Sequence, residues 1–350
     1  MFDDAAAARA ALAGHFDPPR LEQVISALVP AIVFVPSAGP PTRGGSRIGG
    51  VPDMGPGAEW PRPSPPADPE AVAARGSPDA GNEMREHFAK RLPYAFFAQV
   101  DLGEAARLGS VAAGLPQDGR LLFFYDLAAG PWDTGSRVAR VIWDRTPADQ
   151  LAPLAPPADL AEAAAADRAE RVKIAEEFGN DADAARSSGS AYDAPGRAMT
   201  LRATLRLPSV ASIEIAALPE IAAAARSTSG EGSDLAGDYE AAVEESSDSD
   251  RQETWRRQQL LGSPQPEQDD PRYDAVVVTR FGVQHLDREE RRRRREEIER
   301  EARGWALLLQ IDVKDWMRSE FADGAVYFLI RKDDLAARRF DRTVAVYQQT

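Results

Sequence analysis

One pair of chemically capable residues occurs twice in this chain at the same spacing. Gln99 and Asp101 close an apolar run (FFAQVDL), and Gln310 and Asp312 close another (LLLQIDV). If the two copies face a shared cleft, two carboxylates and two amides could bind a sugar, a peptide or a cation. The same residues also fit a structural role. Asp101 has Glu104 three residues on, and Asp312 has Asp315. That is a helix N-cap with an acid at N3, which uses each aspartate to accept otherwise orphaned backbone N–H groups. The glutamines would then bond backbone exposed at strand ends. Capping explains the aspartates without any ligand and is the stronger expectation.

Three further residues could line a site. Glu59 and Trp60 sit together in a Gly/Pro-rich stretch. An acid beside an indole suits a ligand pocket, although a Trp that closes a core is commoner. Arg47 precedes Gly49 and Gly50. A loop of that kind can hold an anion, but the spacing of a phosphate-binding loop is missing. Near the end of the chain Asp333, Asp334, Arg338, Arg339 and Asp341 form a charged cluster, expected as a surface ion-pair network. The five arginines at 291–295 are flanked by glutamates that nearly neutralise them, so they are expected on a solvated helix. No Gly-x-Ser-x-Gly, His-Glu-x-x-His or Walker pattern occurs.

The elements that must position these residues are themselves repeated. Gly50 and Pro52 precede Gln99, and Gly262 and Pro264 precede Gln310; Asp118-Gly119 and Asp323-Gly324 follow. The offset between copies is 212 residues at the Gly-x-Pro, 211 at the Gln and 205 at the Asp-Gly. So steady an offset marks an internal duplication. Each unit reads as a strand short enough to be buried on both faces, a short capped helix, a tight Asp-Gly turn and a second strand.

The run SRIGGVPDMGPGAEWP (46–61), FFAQVDL, LPQDGRLLFFYD, Gln259-Leu260-Leu261-Gly262, LLLQID and the closing DDLAARRFDRTVAVYQ together resemble the YwqG-like family, a bacterial domain of unknown function. The resemblance covers about residues 30–144 and 255–349; Gln259 stands where the family often has His. It implies an α+β, mainly β, roll-like fold with short helices in a cytoplasmic bacterial protein. It carries no established activity. Some relatives lie near toxin and immunity genes.

Composition narrows the function classes. The chain has 350 residues, 43% of them hydrophobic, and no cysteine, which excludes disulfides, thiolate metal sites and cysteine nucleophiles and suits a reducing cytoplasm. Its three histidines, His15, His87 and His285, are far apart, so no metal site is expected. A net charge of −14 argues against nucleic acid or an anionic membrane and would suit a basic partner or simply solubility. The acidic first residues are not expected to act as a signal peptide, and no apolar run approaches the roughly 20 residues of a membrane span.

Along the chain, helices are expected over 1–14, 19–28, 158–178, 210–225 and 286–303, and strands over 31–35, 137–143, 200–207, 273–280 and 343–347. Residues 62–91 read as a long loop, and the acidic tract 227–250 as disordered or weakly helical. The expected organisation is a single domain over 1–350. It holds a first repeat at about 30–144, a partly disordered middle insertion at about 147–254 and a second repeat at about 255–350. The expected role is a non-enzymatic protein-binding module, in a stress or toxin–immunity setting, without cofactor. The alternative is a hydrolase or small-ligand sensor that uses a cleft between the repeats.

Overall fold

The computed structural model describes residues 1–226, 233–252, 254–320 and 322–349. Its frame is a set of strands: β1 (Val29–Pro36), β2 (Arg47–Ile48), β3 (Asp53–Met54), β4 (Ala95–Asp101), β5 (Arg120–Tyr125), β6 (Ala139–Asp144), β7 (Ala152–Pro153), β8 (Arg197–Arg206), β9 (Gln259–Leu260), β10 (Trp305–Asp312), β11 (Ala325–Arg331) and β12 (Val344–Gln348). Ten of them form one antiparallel sheet in the order β12-β11-β10-β9-β1-β8-β2-β4-β5-β6, and β3 pairs with β7 alone. The fold is α+β and mainly β.

That order is a palindrome about the β1–β8 pair. Reading outward, β9, β10, β11 and β12 on one side answer β2, β4, β5 and β6 on the other. The central pair runs in register from Val29 opposite Arg206 to Pro36 opposite Met199. β1 then pairs with β9, and β8 with β2. Each of these two strands therefore completes the ladder belonging to the other copy of the Gln-x-Asp unit. The sheet curls until Gly135, in the connection between β5 and β6, exchanges two 3.0 Å backbone hydrogen bonds with Ala345 of β12. The result is a nearly closed barrel.

Alternation along the strands fills both faces. Leu121, Phe123 and Tyr125 of β5 and Val326, Phe328 and Ile330 of β11 point into the barrel, where Phe97 stacks on Trp316 with ring centroids 4.1 Å apart. The intervening Leu122 and Phe124 pack outward against Trp60 and Leu160, and Tyr327 and Leu329 against Ala275, Val276 and Ile298. Burial on both faces is why these runs are continuously apolar. The interior is a packed core rather than a lumen. No helix among the described residues is long and apolar enough to cross a membrane.

Three segments differ from expectation. Residues 273–280 (YDAVVVTR) are not a strand. Helix Pro271–Val276 runs into a wider turn over Val277–Phe281 and stops at Gly282 with φ +70°. The N-terminus decides this: Asp270 accepts from the Arg272 N–H, Pro271 sits at N1, and the buried Arg272 guanidinium is held by Asp270 and Glu214. A short valine run cannot by itself distinguish a strand from a buried helix. Residues 62–91 are not one long loop; they hold helices Pro69–Ala73 and Pro78–Lys90, capped by Asp68 and Ser77. The stretch 286–303 is two helices, Arg288–Arg293 and Arg295–Ala302, parted at Arg294. In the acidic tract, residues 227–232 lie outside the described residues, and Ser233–Gln252 is helical with Tyr239 and Ala242 buried.

Candidate functional site

The Gln-x-Asp residues are placed almost identically in the two halves. Gln99 is wholly buried. Its Oε1 accepts from the Asp53 N–H at 2.9 Å, and its Nε2 donates to the Gly45 carbonyl at 2.9 Å. Gln310, also wholly buried, accepts from the Gln265 N–H at 2.9 Å, with a longer 3.4 Å bond to the Gln265 carbonyl. Asp101 caps the helix Leu102–Ala106 through the Gly103 and Glu104 N–H groups, and Asp312 caps Val313–Met317 through the Asp315 N–H. The acids at N3 do more than complete a cap. Glu104 accepts from Ser46 Oγ at 2.6 Å and from the Leu201 N–H at 2.7 Å; Asp315 accepts from Gln258 Nε2 at 2.7 Å and pairs with Arg197. Leu201 and Arg197 both belong to β8, so both N3 acids hold the central strand.

The two units touch through Phe97 and Trp316 in the barrel interior, but their Gln-x-Asp strands are not neighbours in the sheet. β4 and β10 are separated by β9, β1, β8 and β2, about 24 Å along the curved sheet at the usual interstrand spacing. Among the described residues no hydrogen bond or ion pair links Gln99 or Asp101 to Gln310 or Asp312. Arg47 is buried against Asp53 and donates to the carbonyls of Thr42 at 2.8 Å and Val51 at 3.1 Å. Those partners leave little of it for an anion. Trp60 closes the outer core, its indole N–H donating to the Tyr94 carbonyl at 2.8 Å, while Glu59 is exposed. In the C-terminal cluster Arg339 pairs with Asp334 at 2.6 Å, and Arg338 donates to the Gly114 carbonyl.

A buried polar group lies beneath the helix Pro78–Lys90. His87 Nε2 is 2.9 Å from Asp126, Arg137 approaches the same carboxylate at 3.5 Å, and Tyr192 stacks on the imidazole. Burial pushes the Asp126 carboxyl up, but His87 and Arg137 outweigh it and hold the group below the ordinary carboxylate value. Among the described residues no three His, Asp or Glu side chains are grouped as metal ligands would be.

A wide concavity lies elsewhere, formed by residues 210–225 and Glu240 against residues 269–303. A cleft of about 600 Å³ adjoins one of about 370 Å³, and Val210 and Glu240 line both. The floor of the larger is apolar: Val210, Ile213, Ile215, Ala222 and Ile298. Among the described residues its rim carries Arg288, Arg291, Arg292, Arg295 and Arg303 against Glu240, Asp269 and Glu299. It is thus positive on a chain of net charge −14. Arg295 pairs with Glu299 at 2.8 Å, and Arg291 lies 3.6 Å from Asp269. Arg288, Arg292 and Arg303 have no side-chain partner among the described residues. Tyr273 stands in the wall, its hydroxyl pushed up to about 12 by burial and by Asp270. In the smaller cleft Arg257 bridges Glu267 and Asp312, the latter at 2.8 Å. Burial raises the Asp312 carboxyl although Arg257 opposes it.

This cleft escapes a reading of charge totals. The break at Arg294 sorts the arginine run: Arg293 and Arg294 pair with Glu290, and Arg294 also covers the Phe281 ring at 4.4 Å. Arg288, Arg291, Arg292 and Arg295 are left on one side. Their i, i+3, i+4, i+7 spacing is the signal of a single helical face.

The sequence model of a family described as a domain of unknown function (DUF1963) matches residues 46–348. Among curated proteins none matches the chain. The family match takes in both Gln-x-Asp units and the whole arginine-rimmed cleft. It begins at Ser46, the residue that ties Asp101 and Glu104 to β2.

Proposed function

The chain belongs to the family described as domain of unknown function DUF1963, and on that footing we propose that it is a non-enzymatic protein-binding module whose working surface is the arginine-rimmed cleft. The observation that carries this reading is the set of cations at 288, 292 and 303, without a side-chain partner among the described residues, around an apolar floor. Such a surface combines the two features that anchor protein interfaces, desolvated apolar contact and guanidinium groups free to bond. A second support is the use already made of the candidate acids. Asp101 and Asp312 cap helices, and Glu104 and Asp315 fasten β8. The YwqG-like resemblance adds the setting: a cytoplasmic bacterial protein acting in stress or toxin–immunity competition.

A photo-crosslinking residue placed at Val210 tests the surface directly. We expect it to trap a protein partner in cells, and one placed at the exposed Phe178, on the helix Ala158–Glu177 side, to trap none. Trapping from Phe178 alone would move the working surface away from the cleft. A second reading, a small-ligand sensor or hydrolase, draws on Asp312, whose raised carboxyl sits behind Arg257 in the wall of the smaller cleft. It requires that Asp312→Asn abolish binding or turnover while the Val210 crosslink persists.

A further inference from the structure

Resting on that reading, we infer that the cleft receives an acidic, amphipathic segment of the partner, its carboxylates on the arginine rim and its apolar side chains on the Val210–Ile298 floor. Net charge alone points the other way, since a chain at −14 attracts basic partners over distance. Within a Debye length of about 8 Å, however, only the local groups count, and among the described residues the rim carries five arginines against three acids. The unpartnered ones matter most. Among the described residues Arg288, Arg292 and Arg303 have no side-chain partner, so a carboxylate gains their hydrogen bonds without breaking any described one. A basic segment would meet five guanidinium groups and an apolar floor.

The shape favours an extended occupant. The two clefts adjoin at Val210 and Glu240, and the second is lined by Arg206 and Arg257 together with Glu244 and Glu267. Among the described residues the positive charge is concentrated at the larger cleft; in the smaller one Arg257 is held by Glu267 and Asp312, and Glu240 and Glu244 join the lining. A segment that offers both acidic and apolar side chains matches the rim and the floor of the larger cleft together, and a small anion would use the rim alone.

The test uses the full chain and two fluorescein-labelled peptides, one alternating Leu with Glu and one alternating Leu with Lys, read by anisotropy. Two variants accompany the wild type: Arg288→Glu with Arg292→Glu, which reverses rim charge at exposed positions, and Val210→Trp, which fills the floor. Melting curves establish that each is folded. We expect the Glu peptide to bind and the Lys peptide not to. Charge reversal should weaken the Glu peptide by about tenfold or more and turn the preference toward Lys, since several rim pairs of modest individual worth are inverted. That reversal is not something mere unfolding can produce. Val210→Trp should weaken binding whatever the charge. If Val210→Trp abolishes binding and charge reversal leaves it unchanged, the cleft stands and the acidic partner falls. If neither variant matters, the cleft itself is overturned as the working surface. Failure of both peptides to bind overturns the acidic-segment inference, and the Val210 crosslink then judges the cleft separately.

Discussion

Gln99 shows how a polar residue can be central to a fold and still be closed to ligands. A strand end buried beside a loop leaves backbone groups to satisfy, and one amide side chain serves both an N–H and a carbonyl. Gln99→Leu would orphan the buried Asp53 N–H and the half-buried Gly45 carbonyl, which costs on the order of 1–3 kcal/mol for the buried group and less for the other. Gln310→Leu should cost clearly less, because its second bond is the long 3.4 Å one. Urea midpoints at constant slope report the two losses, and equal shifts would refute the asymmetry. Asp126 gives a pH prediction. Its carboxyl is held below the ordinary 3.8 by His87 and Arg137, against burial. A lowered folded value stabilises above the unfolded value, and the contribution disappears as pH falls through the folded one. The stability advantage of wild type over Asp126→Asn should therefore be full above about pH 5 and shrink as pH falls below about 4, as followed by thermal melts. An advantage that grows on acidification would mean the sign is wrong. At this scale the caps at Asp101 and Asp312 were legible, because a cap is written within three residues. The reach of Glu104 to Leu201 and of Asp315 to Arg197 was not, since those partners lie 97 and 118 positions away.

Between residue and fold, the turn after each short central strand repeats a backbone shape with different side chains. Gly49 and Gly50 have φ of +67° and +75°, and the matching Leu261 and Gly262 have +60° and +79°. The first position of the turn thus tolerates leucine in one half. It does not in the other, where a Cβ on Gly49 would come 2.6 Å from the Pro195 carbonyl. Gly49→Ala should accordingly cost more than the roughly 1 kcal/mol of a left-handed alanine alone, about 2 kcal/mol or more once the clash is included, and lower the melting temperature by several degrees. A fall no larger than the left-handed penalty would show that the Pro195 segment gives way freely. Two of the segments misread from the sequence, 62–91 and 273–280, share a different cause. At Asp270-Pro271, Asp68-Pro69 and Ser77-Pro78 a capping side chain is followed by proline at N1, a helix start that local β-propensity or low periodicity does not override. The dipeptides were visible in the sequence. What lay hidden was that tertiary partners, such as Glu214 bonding Arg272, would settle the competition.

For the whole molecule, the duplication was legible because its landmarks recur at a nearly fixed offset, but the pairing of β1 and β8 across the two halves was not. Neither strand carries a Gln-x-Asp landmark, and which ladder a strand joins is decided only when the sheet closes. This pairing makes the halves interdependent. A fragment of residues 1–156, cut in the exposed connection after β7, would keep β1 and β2 but lose β8, the strand that lies between them. It would also lose Trp316, whose ring stacks on Phe97 and whose indole N–H donates to the Phe97 carbonyl at 3.2 Å. Two unpaired strand edges beside an open aromatic core favour aggregation over folding. The complementary fragment, 157–350, keeps β8 but lacks β1, which β9 needs as its neighbour. Expressed alone, each fragment should be insoluble or lack a cooperative melt. Expressed together, they should recover a one-to-one complex that melts cooperatively, because every ladder is then complete. A monomeric 1–156 fragment with its own sharp unfolding transition would mean that each copy carries enough core to stand alone and that β8 is dispensable to the first.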